Sequence, residues 1–238
     1  MAVTPLRTLV IVPTYNEREN VDALVAAALS ALPDGDILVV DDASPDGTGE
    51  SADALAARSA RVHVLHRLRK EGLGPAYHAG FRWAVERGYD HVVEMDCDFS
   101  HDPADLPRLV AAVRHGADLA IGSRYIPGAR IEGWPWHRHA LSAAANLYAR
   151  AMLGRAVRDW TSGFKCFRRA AVQAVLDAGA PANGYIFQVQ GTYRVLRRGF
   201  SVVELPIAFR ERTRGDSKVR YNSAREAFLA VWTLRRNG

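Results

Sequence analysis

Met95-Asp96-Cys97-Asp98-Phe99-Ser100-His101 closes the apolar run that begins at His91, so two carboxylates stand where a strand opens into a loop. On a strand, residues i and i+2 point the same way, and Asp96 and Asp98 can face one ion while Cys97 points elsewhere. Mg2+ and Mn2+ take hard oxygen ligands and keep several positions for water and phosphate oxygens, so one or two protein carboxylates suffice. The chemistry on offer is a divalent metal held against a diphosphate. Alone the signal is weak, because aspartates at strand ends are more often turn formers or helix caps.

The elements that must position this pair repeat along the chain. Leu9–Val12, Ile37–Val40, Val62–Leu65 and Leu119–Gly122 are further short apolar runs. Between them Val21, Leu24, Val25, Ala28, Leu29 and Leu32 recur at the spacing of one helical face, and Ala76, Ala79, Gly80, Trp83 and Ala84 nearly so. Such alternation predicts βαβ units and a mainly parallel sheet covered on both faces. Ligands of such sheets bind beyond the carboxyl ends of the strands. Three ends carry polar clusters that should converge: Pro13-Thr14-Tyr15-Asn16-Glu17, the stretch Asp41–Thr48, and the aspartate pair. Farther on, Asp159–Lys165 is expected to turn back over the crevice, Phe187–Arg198 to be helical and Val202–Ile207 to form a strand. Residues 210–220 are polar and contain glycine, as a mobile lid that excludes water would; 221–238 read as a C-terminal helix.

P-T-Y-N-E, D-D-x-S-x-D-G-T, D-x-D-x-S-H, Gly122-Ser123-Arg124 and Thr161-Ser162-Gly163-Phe164-Lys165, in this order from about Leu9 to Lys218, resemble the inverting GT-A glycosyltransferases of family 2. More narrowly they resemble the polyprenol (dolichol) phosphate mannosyltransferases. The resemblance implies an α/β fold, a Rossmann-like three-layer αβα sandwich, with residues 1–238 as one GT-A domain. It also implies transfer of mannose from GDP-mannose to a polyprenyl or dolichyl phosphate. Carried onto this chain, Pro13, Tyr15 and Glu17 meet the guanosine, and Asp41 or Asp42 does so too, the choice between them remaining open. Asp96 and Asp98 bind Mg2+ or Mn2+, Asp98 foremost, and Ser100 joins the metal set at a position where some relatives carry Gln. Arg124, Arg212 and Lys218 match positions that meet phosphates, and Arg138 is a further partner of the acceptor phosphate. Two departures stand out: Gln190 where relatives usually carry an acid, and Cys97 in place of the commoner Ala.

A lipid monophosphate is already largely ionised near neutral pH, so no protein base is expected. The reaction needs instead a stabilised leaving diphosphate and an anionic acceptor held in line. Arginine suits the second task because its planar fork binds phosphate oxygens in pairs and stays charged. In-line attack at C1 gives a β-linked mannosyl phosphate.

Composition is consistent with these expectations. A chain of 238 residues with 48% hydrophobic content can bury a full core, and no linker or low-complexity tract divides it. Net charge is +5 and all but three of the 31 basic residues are arginine, which suits anionic partners. The arginines are scattered with no nucleic-acid motif, so a nucleic-acid partner is not expected; the pairs 168–169, 197–198 and 235–236 read as surface. Two cysteines at no ligand spacing and no signal peptide before Leu9 point to a reduced, cytoplasmic setting. No apolar run approaches the ~20 residues of a membrane span, so a peripheral enzyme on the cytoplasmic face is expected. Trp134-Pro135-Trp136 leading into the apolar stretch Ala140–Leu153, and Phe228–Trp232 with Arg225, Arg235 and Arg236, are candidates to meet the bilayer or a membrane-anchoring protein; core packing is the alternative. Competing readings are a glucosyl or other glycosyl phosphate lipid synthase of the same fold and a catalytically idle nucleotide-binding module. A dinucleotide oxidoreductase would need a Gly-rich turn after the first strand, where this chain has P-T-Y-N-E.

Overall fold

The computed structural model describes residues 6–182, 184, 186–212 and 223–237, with side chains of the last helix from 229 to 236. The strands are β1 (Thr8–Thr14), β2 (Gly35–Asp41), β3 (Val62–His66), β4 (His91–Glu94), β5 (Leu119–Ser123), β6 (Arg130–Glu132), β7 (Lys165–Arg168), β8 (Val202–Pro206) and β9 (Ala208–Arg210). The helices are α1 (Val21–Ala31), α2 (Thr48–Arg58), α3 (Leu73–Glu86), α4 (Leu106–Arg114), α5 (Trp136–Leu153), α6 (Arg169–Asp177), α7 (Ile186–Arg197) and α8 (Ser223–Asn237). Seven strands form one sheet in the order β3-β2-β1-β4-β7-β5-β8, and β6 and β9 form a separate parallel ribbon.

Strand alternation builds a core on each face of the sheet. Leu9 and Ile11 of β1 point to the side where α3 brings Tyr77 and Phe81; Val10 and Val12 point to the side where α1 brings Val21, Leu24 and Val25. Helix α3 lies close on β1 because residue 80 is glycine: a β-carbon there would come within 2.8 Å of Ile11 Cγ2. The three-layer α/β architecture is the one expected from the apolar periodicity.

The middle of the sheet departs from expectation. Strand β7 pairs antiparallel with β4 on one side and β5 on the other, whereas the remaining pairs are parallel. The segment expected to fold back over the crevice borders it at Gly163, where a β-carbon would lie 3.4 Å from Asp96 Oδ2, and then enters the sheet at Lys165, with Ser162 and Phe164 buried. Lys165 is buried as well, opposite Glu94 in the β4–β7 register. Its Nζ donates to the Gln188 backbone oxygen and to Gln188 Oε1, both at 2.7 Å, which is how an ammonium is tolerated there. Burial pulls this lysine down to about 8 and pushes Glu94 up to about 8.

No helix among the described residues is long and apolar enough to cross a membrane.

Candidate functional site

Because β2, β1 and β4 are neighbours, their carboxyl ends lie side by side and bring the three polar clusters together. Thr14 Oγ1 donates to Asp41 Oδ1 at 3.1 Å, the Asn16 amide to Ser44 Oγ at 3.0 Å and the Glu17 amide to Thr48 Oγ1 at 3.0 Å. Each cluster holds one non-glycine residue in the left-handed region: Asn16 at φ 54°, Ala43 at 59° and Phe99 at 57°. Alanine and phenylalanine there cost on the order of 1–3 kcal/mol each, a strain that concentrates at binding sites.

Asp41 and Asp42 have separate surroundings. Asp41 accepts from Thr14 and from the Ser44 amide and hydroxyl, closing the turn after β2. Asp42 accepts from Arg67 Nη1 at 2.6 Å and from the Glu71 and Gly72 amides at 3.0 and 2.8 Å. This ties in a fourth segment, residues 67–72 after β3, in which Lys70 Nζ lies 3.6 Å from the centre of the Tyr15 ring. Nothing in the apolar spacing singles out that loop. The Glu17 carboxylate is buried and accepts from Asn20 Nδ2 at 2.9 Å, and Pro13 lies within β1 opposite Val40.

The aspartate pair is asymmetric. Burial, reinforced by the charge of Asp98 and farther off Glu17, pushes Asp96 up to about 7, while Tyr77 of α3 donates to its Oδ1 at 3.2 Å. Burial alone would raise Asp98 too, but hydrogen bonding from Ser100 and the charge of Arg212 hold it below the usual carboxylate range. The Ser100 amide donates to Asp98 Oδ1 at 3.0 Å, and Arg212 Nη2 stands 2.7 Å from Asp98 Oδ2. Ser100 therefore serves the pair by orienting Asp98. Among the described residues no group of three or more His, Cys, Asp or Glu side chains is disposed to hold a metal. The donor set is two carboxylates. It fits a hard divalent ion that would take its remaining ligands from phosphate and water, since a cation offsets both the burial and the neighbouring Asp98 charge that raise Asp96.

The basic side is reached through β6 and β9. The Arg210 amide donates to the Ser100 oxygen at 3.1 Å, which docks the ribbon on the loop after β4 and delivers Arg212 to Asp98. Arg138 pairs with Glu211 at 2.7 Å and lies 4.4 Å from the centre of the Trp134 ring. Arg124 lies 5.7 Å from that ring. Arg124 is gripped by the buried Asp159: its amide, Nε and Nη2 donate to that carboxylate at 2.9, 2.8 and 2.7 Å, and Nη2 donates also to Thr161 Oγ1 at 2.7 Å. Although burial would raise Asp159, the guanidinium keeps it below the usual range. Asp159 and Tyr77 were not singled out from the sequence. The first sits beside the T-S-G-F-K motif, and the second is not among Ala76, Ala79, Gly80, Trp83 and Ala84, the spaced residues that mark this helix in the sequence. Gln190 Oε1 accepts from the Ala182 amide at 2.8 Å, an acceptor role that an acid fills equally. Lys218 and the rest of 213–222 lie outside the described residues.

His101 sits between the two halves, its ring stacked on Phe164 at 4.9 Å and edge-on to Phe209 at 5.4 Å, within the fields of Asp98, Arg124 and Asp159. Burial pulls it from 6.5 down to about 4. Between those values the unfolded chain binds a proton that the native protein does not, so stability is lost as pH falls from 6.5 to 4. The contribution is about 3 kcal/mol at most. Urea unfolding across this window should give a shallower acid decline for His101→Gln than for the parent protein.

The sequence model of the family described as "Glycosyl transferase family 2" matches residues 9–176. A polyprenol monophosphomannose synthase from Mycolicibacterium smegmatis is 52% identical over 232 residues, covering 96% of this chain and 88% of that protein. An undecaprenyl-phosphate mannosyltransferase from Micrococcus luteus is 51% identical over 232 residues, covering 96% and 95%. Among solved structures, glucosyl-3-phosphoglycerate synthase from Mycobacterium tuberculosis, with Mn2+, UDP and glucosyl-3-phosphoglycerate, superposes with a TM-score of 0.69. It shares 21% identity and covers 97% of this chain and 80% of its own, a likeness of fold.

Proposed function

The chain belongs to glycosyl transferase family 2, and from that premise we propose that it is a single catalytic domain that moves mannose from GDP-mannose to a polyprenyl phosphate with inversion at C1. The observation that carries the reading is the contact of its acidic and basic halves, with Arg212 2.7 Å from Asp98. An acid pair suited to a metal diphosphate borders directly on a guanidinium suited to a second phosphate. The names of the relatives at 51 and 52% identity support the choice of mannose and of a polyprenyl phosphate.

Pro13, Tyr15, Glu17 and the Asp41–Asp42 pair would receive the nucleoside, with Lys70 over the Tyr15 ring closing one side. Mg2+ or Mn2+ on Asp96 and Asp98 would neutralise charge on the departing diphosphate. Arg124, Arg138 and Arg212 would hold the acceptor phosphate in line, joined by Lys218. Asp159 and Glu211 orient two of these cations, and an oriented guanidinium has less rotational freedom to lose when phosphate arrives. No general base is assigned, because the nucleophile is already an anion. Transfer of radiolabelled sugar tests the reading: label from GDP-mannose is expected on polyprenyl phosphate. Transfer from UDP-glucose alone, or none, would overturn it.

The acceptor's membrane is met by α5 and α8. Trp136 is 81% exposed, Leu147 66% and Leu141 54% along α5, and Leu229 and Trp232 are exposed on α8, which packs against α5. Core packing, the alternative, accounts for Tyr148, Ala149, Met152 and Leu153 of α5 and Val231 of α8 but not for the side chains standing in solvent. Burying a Trp and a Leu in an interface is worth about 1.5–3 kcal/mol each. The protein should therefore float with anionic liposomes, and Trp136→Ser with Leu147→Ser should leave most of it in the soluble fraction.

A further inference from the structure

Helix α5 buries little: Asn146 and Ala149 are its fully covered residues. The buried amide of Asn146 reaches across to the segment that feeds β7. Its Oδ1 accepts from the Trp160 amide at 2.8 Å, and its Nδ2 donates to Thr161 Oγ1 at 3.1 Å and to the Ser142 oxygen, one turn back, at 3.0 Å. The Thr161 hydroxyl oxygen is the same atom that accepts from Arg124 Nη2 at 2.7 Å. A continuous path thus runs from the helix bearing Trp136, Leu141 and Leu147 through Asn146 and Thr161 to the guanidinium of Arg124. Asp159 fixes that guanidinium along Nε and Nη2, and Thr161 adds a second acceptor at Nη2. The Thr161 hydroxyl itself donates to Asp159 Oδ1 at 3.4 Å, and the Asn146 amide adds a donor to its oxygen from the α5 side that holds its rotamer.

We propose that Asn146 is a positioning residue: acting through Thr161, it braces Arg124 Nη2 where that guanidinium meets the acceptor phosphate and so fastens the apolar helix α5 to the acceptor side of the site. The inference rests on the reading of Arg124 as an acceptor-phosphate ligand. A partner that merely stabilised the fold would weaken donor and acceptor binding alike. A positioning partner of Arg124 weakens the acceptor alone.

The test is steady-state transfer by the full chain from GDP-mannose to a polyprenyl phosphate in detergent micelles, with thermal melts alongside. Asn146→Ala and Thr161→Val should each raise the acceptor KM about tenfold, the effect of one lost hydrogen bond to a charged network. The donor KM should stay within about twofold, since neither residue touches the nucleotide side. The double variant should again show about tenfold rather than the product, because both changes break one path. Thr161→Ser, which keeps the hydroxyl, should restore the parent value. Should Asn146→Ala not fold, the contrast between Thr161→Val and Thr161→Ser carries the test. An unchanged acceptor KM, a parallel rise in donor and acceptor KM, or multiplying effects in the double variant would overturn the inference and leave the proposed function standing. A parent protein that transfers nothing to polyprenyl phosphate would overturn the proposed function, and this inference with it.

Discussion

Asp98→Ala is expected to cut sugar transfer by about a thousandfold, the scale of losing a preorganised electrostatic partner of the leaving group. The melting temperature should stay within about 4 °C of the parent. Two features lead to this split. Asp98 is the acid held ionised in the resting protein, by the Ser100 hydrogen bonds and Arg212, so it is the carboxylate ready to receive a cation. Its removal also relieves Asp96, whose carboxyl is forced upward by burial and by Asp98's charge. The lost ion pair with Arg212, a side chain 23% exposed, is therefore offset in part. Asp98→Asn keeps the shape and an acceptor for the Ser100 amide while removing the charge, and should be as inactive as the alanine variant. Transfer measured against Mn2+ concentration, beside a thermal melt, checks both halves; activity retained in either variant would remove the metal from the reading.

Asp159→Ala should do the reverse and strike the fold first. The Asp159 side chain is 0% exposed and Arg124 8%, and the carboxylate takes three donors from that one residue. Removing it leaves a buried guanidinium without its counter-charge, a loss of about 3–5 kcal/mol. For a chain of this size that lowers the melting temperature by about 10 °C. Replacing both partners by apolar residues, Arg124→Met with Asp159→Leu, should recover much of the stability by removing the unpaired charge, yet recover no transfer. Calorimetry of the single and double variants distinguishes a pair kept for stability from one kept for function. A double variant as unstable as Asp159→Ala would mean that the ion pair itself holds the fold.

The legible parts of the fold are those where burial writes itself as apolar periodicity. Leu9–Val12 and Ile37–Val40 are strands with side chains buried on both faces, and the β1, β2 and β4 ends meet as a parallel sheet requires. Lys165 was not legible as a sheet residue, because its accommodation depends on a carbonyl and an amide 23 residues away on α7. Nor do Ala43 and Phe99 advertise a left-handed backbone as glycine does. Within the site, D-x-D and G-S-R mark the proposed chemistry, but the residues that would aim it are ordinary in sequence. Tyr77, Asn146 and Asp159 acquire their meaning only from what the fold sets against them.

The antiparallel strand between β4 and β5 has a consequence for synthesis. Those two strands do not touch each other; β7, ending at residue 168, fills the space between them. While the chain is still emerging from the ribosome, the half that would cradle the nucleotide therefore waits with an open, hydrogen-bond-hungry margin along β4. Only when some seventy further residues have been translated does the missing strand arrive to weld the two halves, which makes premature termination between them a route to aggregation.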